Sequence, residues 1–107
     1  MLLRRAFLLA PVVPLRKGQA RQPTMFGDAE AYEGFMGRWS RLAAPRFVDF
    51  TGLPERGRIL DVGSGTGSLA FAIAESNSRA SVLGIDPSKE YVAYATSRNT
   101  FPDRASF

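Results

Sequence analysis

The sequence predicts an α/β fold: a doubly wound parallel sheet that reaches about three strands, preceded by two helices. Two observations predict it. Short apolar runs alternate with segments of helical periodicity in the second half of the chain, and a glycine-rich loop directly follows the first apolar run. Strands that alternate with helices are joined by right-handed crossovers, so they pair in parallel.

The chain before the sheet predicts the two leading helices. Apolar residues recur every three or four positions over residues 27–44, which predicts an amphipathic helix. We expect its aromatic stripe, which includes Tyr32 and Trp39, to pack on the core rather than contact a ligand. Pro45 is predicted to begin a second short helix, because proline is tolerated in a first turn. The glycine and proline of residues 52–54 predict its end.

Three apolar runs predict the strands, and two helices connect them. The first connecting helix repeats apolar residues from Leu69 and ends at Asn77. The second opens at Pro87, with Ser88 as its N-cap and Tyr91 on its inner face. The predicted strands cover residues 58–62, 80–85 and 105–107.

Composition excludes several chemistries and partners. The 107 residues include no His and no Cys, which excludes a serine–histidine triad, a cysteine nucleophile and zinc sites built on imidazole or thiolate ligands. We therefore expect no metal. The net charge of +4 lies in the first quarter of the chain: residues 1–27 carry five basic residues and no acid, whereas residues 28–107 carry a net charge of −1. A nucleic-acid interface needs clustered basic residues on a folded face, so no nucleic-acid partner is expected.

Residues 1–26 are interpreted as a basic leader and residues 27–107 as the domain. The leader's apolar run is too short to cross a bilayer, which takes ~20 residues. Three interpretations stay open: an export signal that resembles the twin-arginine type, an organelle transit peptide, or a dispensable extension with initiation at Met25. The expected location is the cytoplasm, or outside it if residues 1–24 act as a targeting signal.

The motif with chemical content is DVGSGTG, residues 61–67, which leaves a strand and enters a helix. Glycines allow tight turns and let a ligand lie against bare main chain. In a doubly wound sheet the ligand crevice lies beyond the carboxyl ends of the strands, where this loop and Asp86 would meet. Asp86 follows Gly63 by 23 residues and ends the next strand, the position of a carboxylate that accepts from ribose hydroxyls.

The spacing of the glycines favours one kind of nucleotide. The loop has the pattern G-x-G-x-G, with Ser68 where a dinucleotide fingerprint has its third glycine, and no Gly-Lys-Ser/Thr follows as in a P-loop. Asp61 precedes the first glycine by two residues, which disfavours a pyrophosphate and suits a cationic ammonium. S-adenosylmethionine fits these requirements. A nicotinamide-dependent oxidoreductase is the less favoured alternative.

These motifs resemble those of the class I S-adenosylmethionine-dependent methyltransferases. DVGSGTG is similar to their first motif and GIDPS, residues 84–88, to their second. Residues 32–50, YEGFMGRWSRLAAPRFVDF, resemble the leading helices of the ubiquinone/menaquinone-biosynthesis-like branch, which acts on small molecules. Tyr32 and Arg38 could approach the methionine carboxylate, as in some members. The resemblance implies a Rossmann-like fold and the cofactor-binding residues Asp61, Gly63, Ser64, Gly65, Gly67, Asp86, Pro87 and Ser88.

The resemblance covers about residues 27–107, which we interpret as the N-terminal, cofactor-binding half of such a domain. The strands that position the methyl acceptor are expected to lie outside it, so no catalytic residue is predicted. Three strands alone leave a sheet edge and an apolar face uncovered, so either a C-terminal half or a partner is expected to complete the sheet. The alternative from another functional class is a non-catalytic module that binds S-adenosylmethionine or a partner.

Overall fold

The computed structural model describes residues 28–107, in which a helical leading segment precedes a parallel sheet with two connecting helices. The predicted leader and the predicted start at Met25 lie outside the described residues. The elements are α1 (Ala29–Tyr32), a π-turn (Glu33–Gly37), α2 (Arg38–Thr51), β1 (Arg56–Val62), α3 (Ser68–Ser76), β2 (Arg79–Ile85), α4 (Lys89–Ser97) and β3 (Ala105–Ser106).

The leading segment, residues 29–51, is one helical run, and the predicted break at Pro45 is wrong. Asp28 caps its start by accepting a hydrogen bond from the Ala31 N–H at 2.9 Å. Pro45 lies inside α2, between Ala44 and Val48, which are both buried against the core. That packing outweighs the backbone hydrogen bond that a proline removes from a helix interior. The two α-helical parts are separated instead by the π-turn.

The predicted end of the leading segment at residues 52–54 is confirmed. Gly52 follows α2 with a φ of 57°, in the left-handed region that ends many helices. The chain then turns through Leu53, which packs against the core, and enters β1. The end of the leading segment is therefore fixed by local backbone chemistry, whereas its continuity past Pro45 depends on packing.

The aromatic stripe of the leading segment packs on the core only at Tyr32, whose ring lies 5.2 Å from that of the buried Tyr91; for the rest of the stripe the prediction is wrong. Phe35 is 79% exposed and Trp39 is 62% exposed. The buried side of the segment consists instead of small residues, because α2 lies closely against α3. Close approach of two helices favours small side chains at the contact, which a search for large apolar residues overlooks.

The sheet has the order β1-β2-β3, and both pairings are parallel, as predicted. The register places Asp61 opposite Gly84 and Val82 opposite Ala105. One face of the sheet carries these residues and packs under α3. The core between this face and the helices consists of Ala44, Val48, Ala70, Ala72, Ile73, Ala74, Val82 and Ala105.

The opposite face of the sheet is bare within residues 28–107. It carries Leu60 and Val62 of β1 beside Leu83 and Ile85 of β2, all of them large apolar residues with exposed side chains. β1 also lies at an edge of the sheet. The expectation of an uncovered apolar face and a free edge is confirmed for this part of the chain. None of the helices described between residues 28 and 107 is both long and apolar enough to cross a bilayer.

The two faces of the sheet predict different changes in the free energy of unfolding for the same Val→Thr substitution. Val62 is 73% exposed and Val82 is 3% exposed, on neighbouring strands. Val82→Thr buries a hydroxyl in an apolar site, so we expect it to lower the free energy of unfolding by about 1–3 kcal/mol. Val62→Thr keeps the same shape and β-branching in contact with water and should change that free energy by less than about 0.5 kcal/mol. Urea denaturation of the two variants checks this, and equal losses would contradict the assignment of faces.

Candidate functional site

The glycine-rich loop connects β1 to α3 in a conformation that requires its glycines. Gly63, Gly65 and Gly67 have φ values of 76°, 55° and 93°, in the region that side chains disfavour. The N–H groups of Gly63 and Ser64 both donate to the Ile85 carbonyl, at 2.8 and 3.0 Å. The loop is therefore fastened to the carboxyl end of the neighbouring strand, as the crevice rule for doubly wound sheets predicts.

Asp86 joins the loop to the start of α4. Its Oδ2 accepts from the Gly65 N–H at 2.9 Å, and its Oδ1 accepts from the Ser88 N–H at 2.8 Å. Ser88 in turn caps α4 by accepting from the Tyr91 N–H, which confirms its predicted capping role. Each carboxylate oxygen keeps a lone pair beyond the bond that it already accepts, so Asp86 retains capacity for a further donor.

Asp61 is buried below the loop, with 8% of its surface exposed. Burial raises the pKa of its carboxyl, the hydrogen bond from the Ala70 N–H lowers it, and the nearby charge of Asp86 raises it; the pKa lies above its usual range. Ala70 is the third residue of α3, whose N-cap, Gly67, offers no side chain. Asp61 thus supplies the acceptor that a capping side chain would otherwise provide.

Two buried polar atoms at this site have no hydrogen-bond partner among the described residues: Asp61 Oδ2 and Ser64 Oγ. Leaving such atoms unpaired costs free energy. Both belong to residues that the sequence predicted for cofactor binding. Ser64 lines the cleft beside the loop, whereas Asp61 lies beneath the loop and is not among the residues that line the cleft.

A cleft of about 390 Å³ lies between the leading segment and the loop. Gly63, Ser64 and Gly65 line one side, and Tyr32 lines the other, with its ring centroid 5.2 Å from that of Tyr91. Arg38, the other residue suggested for the methionine carboxylate, is exposed, with its guanidinium 5.8 Å from the centre of the Trp39 ring.

Pro87 is exposed beside Asp86, at the beginning of α4. The site residues predicted from the sequence therefore lie in the loop, under it, or at the adjoining start of α4. Among residues 28–107 no group of His, Cys, Asp and Glu side chains could hold a metal ion.

Three residues of this region were not singled out from the sequence. Gly84 lies under the loop, where a Cβ would come within 2.8 Å of Ser64 Cβ and 2.6 Å of the Phe107 ring. Thr66 donates its hydroxyl proton to Glu33 Oε1 at 2.5 Å. Thr66 lies within DVGSGTG and Gly84 within GIDPS, so the two motifs could have pointed to both residues. Glu33 lies within residues 32–50, which resemble the leading helices of the family, but no spacing relates it to Thr66, 33 residues later.

The family of the chain follows from comparison with known proteins. The family described as "Methyltransferase domain" matches residues 54–107, which include the loop and Asp86. The chain belongs to the S-adenosylmethionine-dependent methyltransferase family. It is 39% identical over 79 residues to the ubiquinone/menaquinone biosynthesis C-methyltransferase UbiE of Syntrophotalea carbinolica. That match covers 66% of this chain and 32% of the relative, so the chain spans about a third of the length of this curated relative.

Solved structures of methyltransferases share the fold. One is a protein of Methanococcus maripaludis described as an S-adenosylmethionine-dependent methyltransferase. It is 22% identical, the match covers 83% of this chain and 44% of that protein's chain, and the TM-score is 0.62. The plantazolicin methyltransferase BpumL, in complex with a triazolic desmethylPZN analogue and SAH, is 28% identical over 74% of this chain and 31% of its own, with a TM-score of 0.54. The Rossmann-like fold predicted from the sequence is confirmed.

The two hydrogen bonds to Asp86 predict the effect of removing its carboxylate. In Asp86→Ala the Gly65 and Ser88 N–H groups lose their acceptor, so the free energy of unfolding should fall by about 1–3 kcal/mol. Hydrogen exchange of both amides, followed by NMR, should become faster. Asp103→Ala, which removes an exposed carboxylate of the loop before β3, is the matched control and should change neither quantity. Unchanged exchange at Gly65 in Asp86→Ala would contradict the link.

Proposed function

We propose that residues 27–107 form the S-adenosylmethionine-binding part of a methyltransferase. The observation that supports this most directly is the buried carboxylate of Asp61, one oxygen of which has no hydrogen-bond partner among residues 28–107 and lies beneath a loop of bare glycine backbone. A cationic ligand without a phosphate suits this carboxylate, whereas a pyrophosphate would meet its negative charge. Family membership points to the same cofactor.

The residues present fit such a cofactor in three ways. In this proposal Gly63, Ser64, Gly65 and Gly67 let it lie against the main chain, Asp61 favours its ammonium group, and Asp86 accepts from its ribose hydroxyls. Pro87 and Ser88 lie beside the adenine. When bound, S-adenosylmethionine supplies a methyl group on a positively charged sulfur. The chain's own part is to bind and orient this donor, since catalysis of methyl transfer consists largely of holding donor and acceptor in line.

We propose a small molecule as the methyl acceptor. Two similarities support this. The chain is similar to UbiE, a ubiquinone/menaquinone biosynthesis C-methyltransferase, and its residues 32–50 resemble the leading helices of the ubiquinone/menaquinone-biosynthesis-like branch. No side chain of the cleft is proposed as a general base. The proposed location is the cytoplasm.

The acceptor site is proposed to form where the sheet is completed. In doubly wound sheets the first strand is central, with further strands beyond it. Within residues 28–107, β1 has a free edge, and the sheet has a bare apolar face formed by Leu60, Val62, Leu83 and Ile85. Further residues of a protein as long as its relatives, or a partner chain, would pair with that edge and cover that face.

Calorimetry tests the cofactor. We expect the 107-residue chain to bind S-adenosylmethionine or SAH and to give no heat with NAD. Asp61→Asn keeps an oxygen for the Ala70 N–H but removes the charge, so binding of S-adenosylmethionine should weaken by about 10- to 100-fold. Because the native pKa of Asp61 is raised, its ionised form opposes folding above its usual titration range. The variant should therefore be no less stable at pH 7.

Two results would contradict the proposal. One is binding of NAD with no binding of S-adenosylmethionine, which would favour the oxidoreductase alternative. The other is unchanged S-adenosylmethionine affinity in Asp61→Asn, which would leave Asp61 with only its structural bond to α3. Asp103→Ala again serves as the control carboxylate and should bind as the unaltered chain does.

A further inference from the structure

Glu33 of the π-turn connects three parts of the molecule that are distant in sequence. Its Oε1 accepts from the Thr66 hydroxyl of the glycine-rich loop at 2.5 Å. Its Oε2 accepts from Arg41 of α2 at 2.6 Å and from Arg98, which follows α4, at 3.3 Å. A single carboxylate thus joins the leading segment to the loop and to the end of α4.

The surroundings of Glu33 favour its charged form. Only 8% of its side-chain surface is exposed, and desolvation by burial alone would raise its pKa. The Thr66 hydroxyl and the two guanidinium groups outweigh burial, so the pKa of Glu33 lies below its usual range. The Thr66 bond is part-buried, whereas the Arg41 and Arg98 side chains are 53% and 43% exposed, so water screens the two ion pairs more than the hydroxyl bond.

The backbone at this point is shaped around the same carboxylate. A Cβ on Gly37 would overlap Glu33 Oε2 and come within 2.9 Å of Arg41 Nη1. A Cβ on Gly34, in the same π-turn, would meet nothing within 4 Å. Gly37 therefore leaves room for the Glu33–Arg41 pair. π-turns inside α-helices are frequent at functional sites, and this one brings Glu33 to the loop.

We propose that Glu33 is a positioning residue, which holds the leading segment against Thr66 so that the segment forms the second wall of the cofactor cleft. Tyr32, next to Glu33, lines that wall, and Thr66 lines the opposite side. Ala29 and Gly37 are buried and the Tyr32 ring packs against that of Tyr91 in α4, whereas the Glu33–Thr66 hydrogen bond connects the π-turn to the loop itself. This role rests on the proposed binding of S-adenosylmethionine in the cleft.

The two glycines of the π-turn give a matched test. Gly37→Ala displaces the Glu33 carboxylate without changing any charge, whereas Gly34→Ala makes the same chemical change in open space. Glu33→Gln keeps the shape but removes the charge and leaves one accepting oxygen where Glu33 has two. We expect Glu33→Gln and Gly37→Ala to weaken SAH binding about tenfold in calorimetry, and Gly34→Ala to leave it unchanged.

Hydrogen exchange tests the positioning without a ligand. In the unaltered chain, protection of residues 63–67 should fall as the pH drops below the usual range of a glutamate, because a carboxylate with a lowered pKa stabilises the fold only while it is ionised. The charged groups that face Glu33 are Arg41 and Arg98. Asp61 and Asp86 are acidic residues next to the same loop, so the comparison is with Glu33→Gln, which should lose the Glu33 part of this pH dependence.

The outcomes separate the two proposals. If the unaltered chain does not bind SAH, the proposed cofactor site is contradicted, and exchange alone decides the role of Glu33. The positioning role is wrong if the amides of residues 29–37 and 63–67 exchange at the same rates in Glu33→Gln and Gly37→Ala as in Gly34→Ala. Thr66→Val, which replaces the hydroxyl with a methyl group, should reproduce the effect of Glu33→Gln on exchange. Thr66→Ser, which keeps the hydroxyl, should keep the protection of the unaltered chain.

Discussion

The parallel pairing of β1 with β2 is the constraint on which the rest of the site depends. It places Val62 beside Ile85, so the loop that follows β1 and the aspartate that follows β2 emerge at the same edge of the sheet. The Ile85 carbonyl and the Asp86 carboxylate then hold the loop through the N–H groups of Gly63, Ser64 and Gly65. A shift of this register would separate the groups that form the cleft.

Close packing under the loop depends on small residues. Gly84 lets Ser64 and Phe107 approach the sheet, and the alanines of α3 let α2 approach α3. The same closeness buries Asp61, which raises its pKa and leaves one of its oxygens without a partner among the described residues. An unpartnered buried oxygen costs stability, and departures of this kind from local satisfaction are typical of functional sites.

The three carboxylates of this region have different surroundings and different consequences. Asp86 accepts from two main-chain N–H groups, Glu33 accepts from a hydroxyl and two guanidinium groups, and Asp61 accepts from one N–H in a buried site. Donors lower the pKa of Glu33 and burial raises that of Asp61. The pKa values of Glu33 and Asp61 therefore shift in opposite directions, because donors dominate at one carboxylate and burial at the other.

The sequence by itself determined the order of the elements, the glycine-rich loop, the cap at Ser88 and the helix end at Gly52, because each depends on local backbone chemistry or on periodicity. It also indicated the cofactor class through the spacing of the glycines and the positions of Asp61 and Asp86. It did not predict the continuous helix through Pro45, the exposure of Phe35 and Trp39, or the contact of Glu33 with Thr66. These depend on which surfaces meet in three dimensions. Tertiary packing decides whether a helix continues through a proline, and no local sequence pattern relates a glutamate to a threonine 33 residues away.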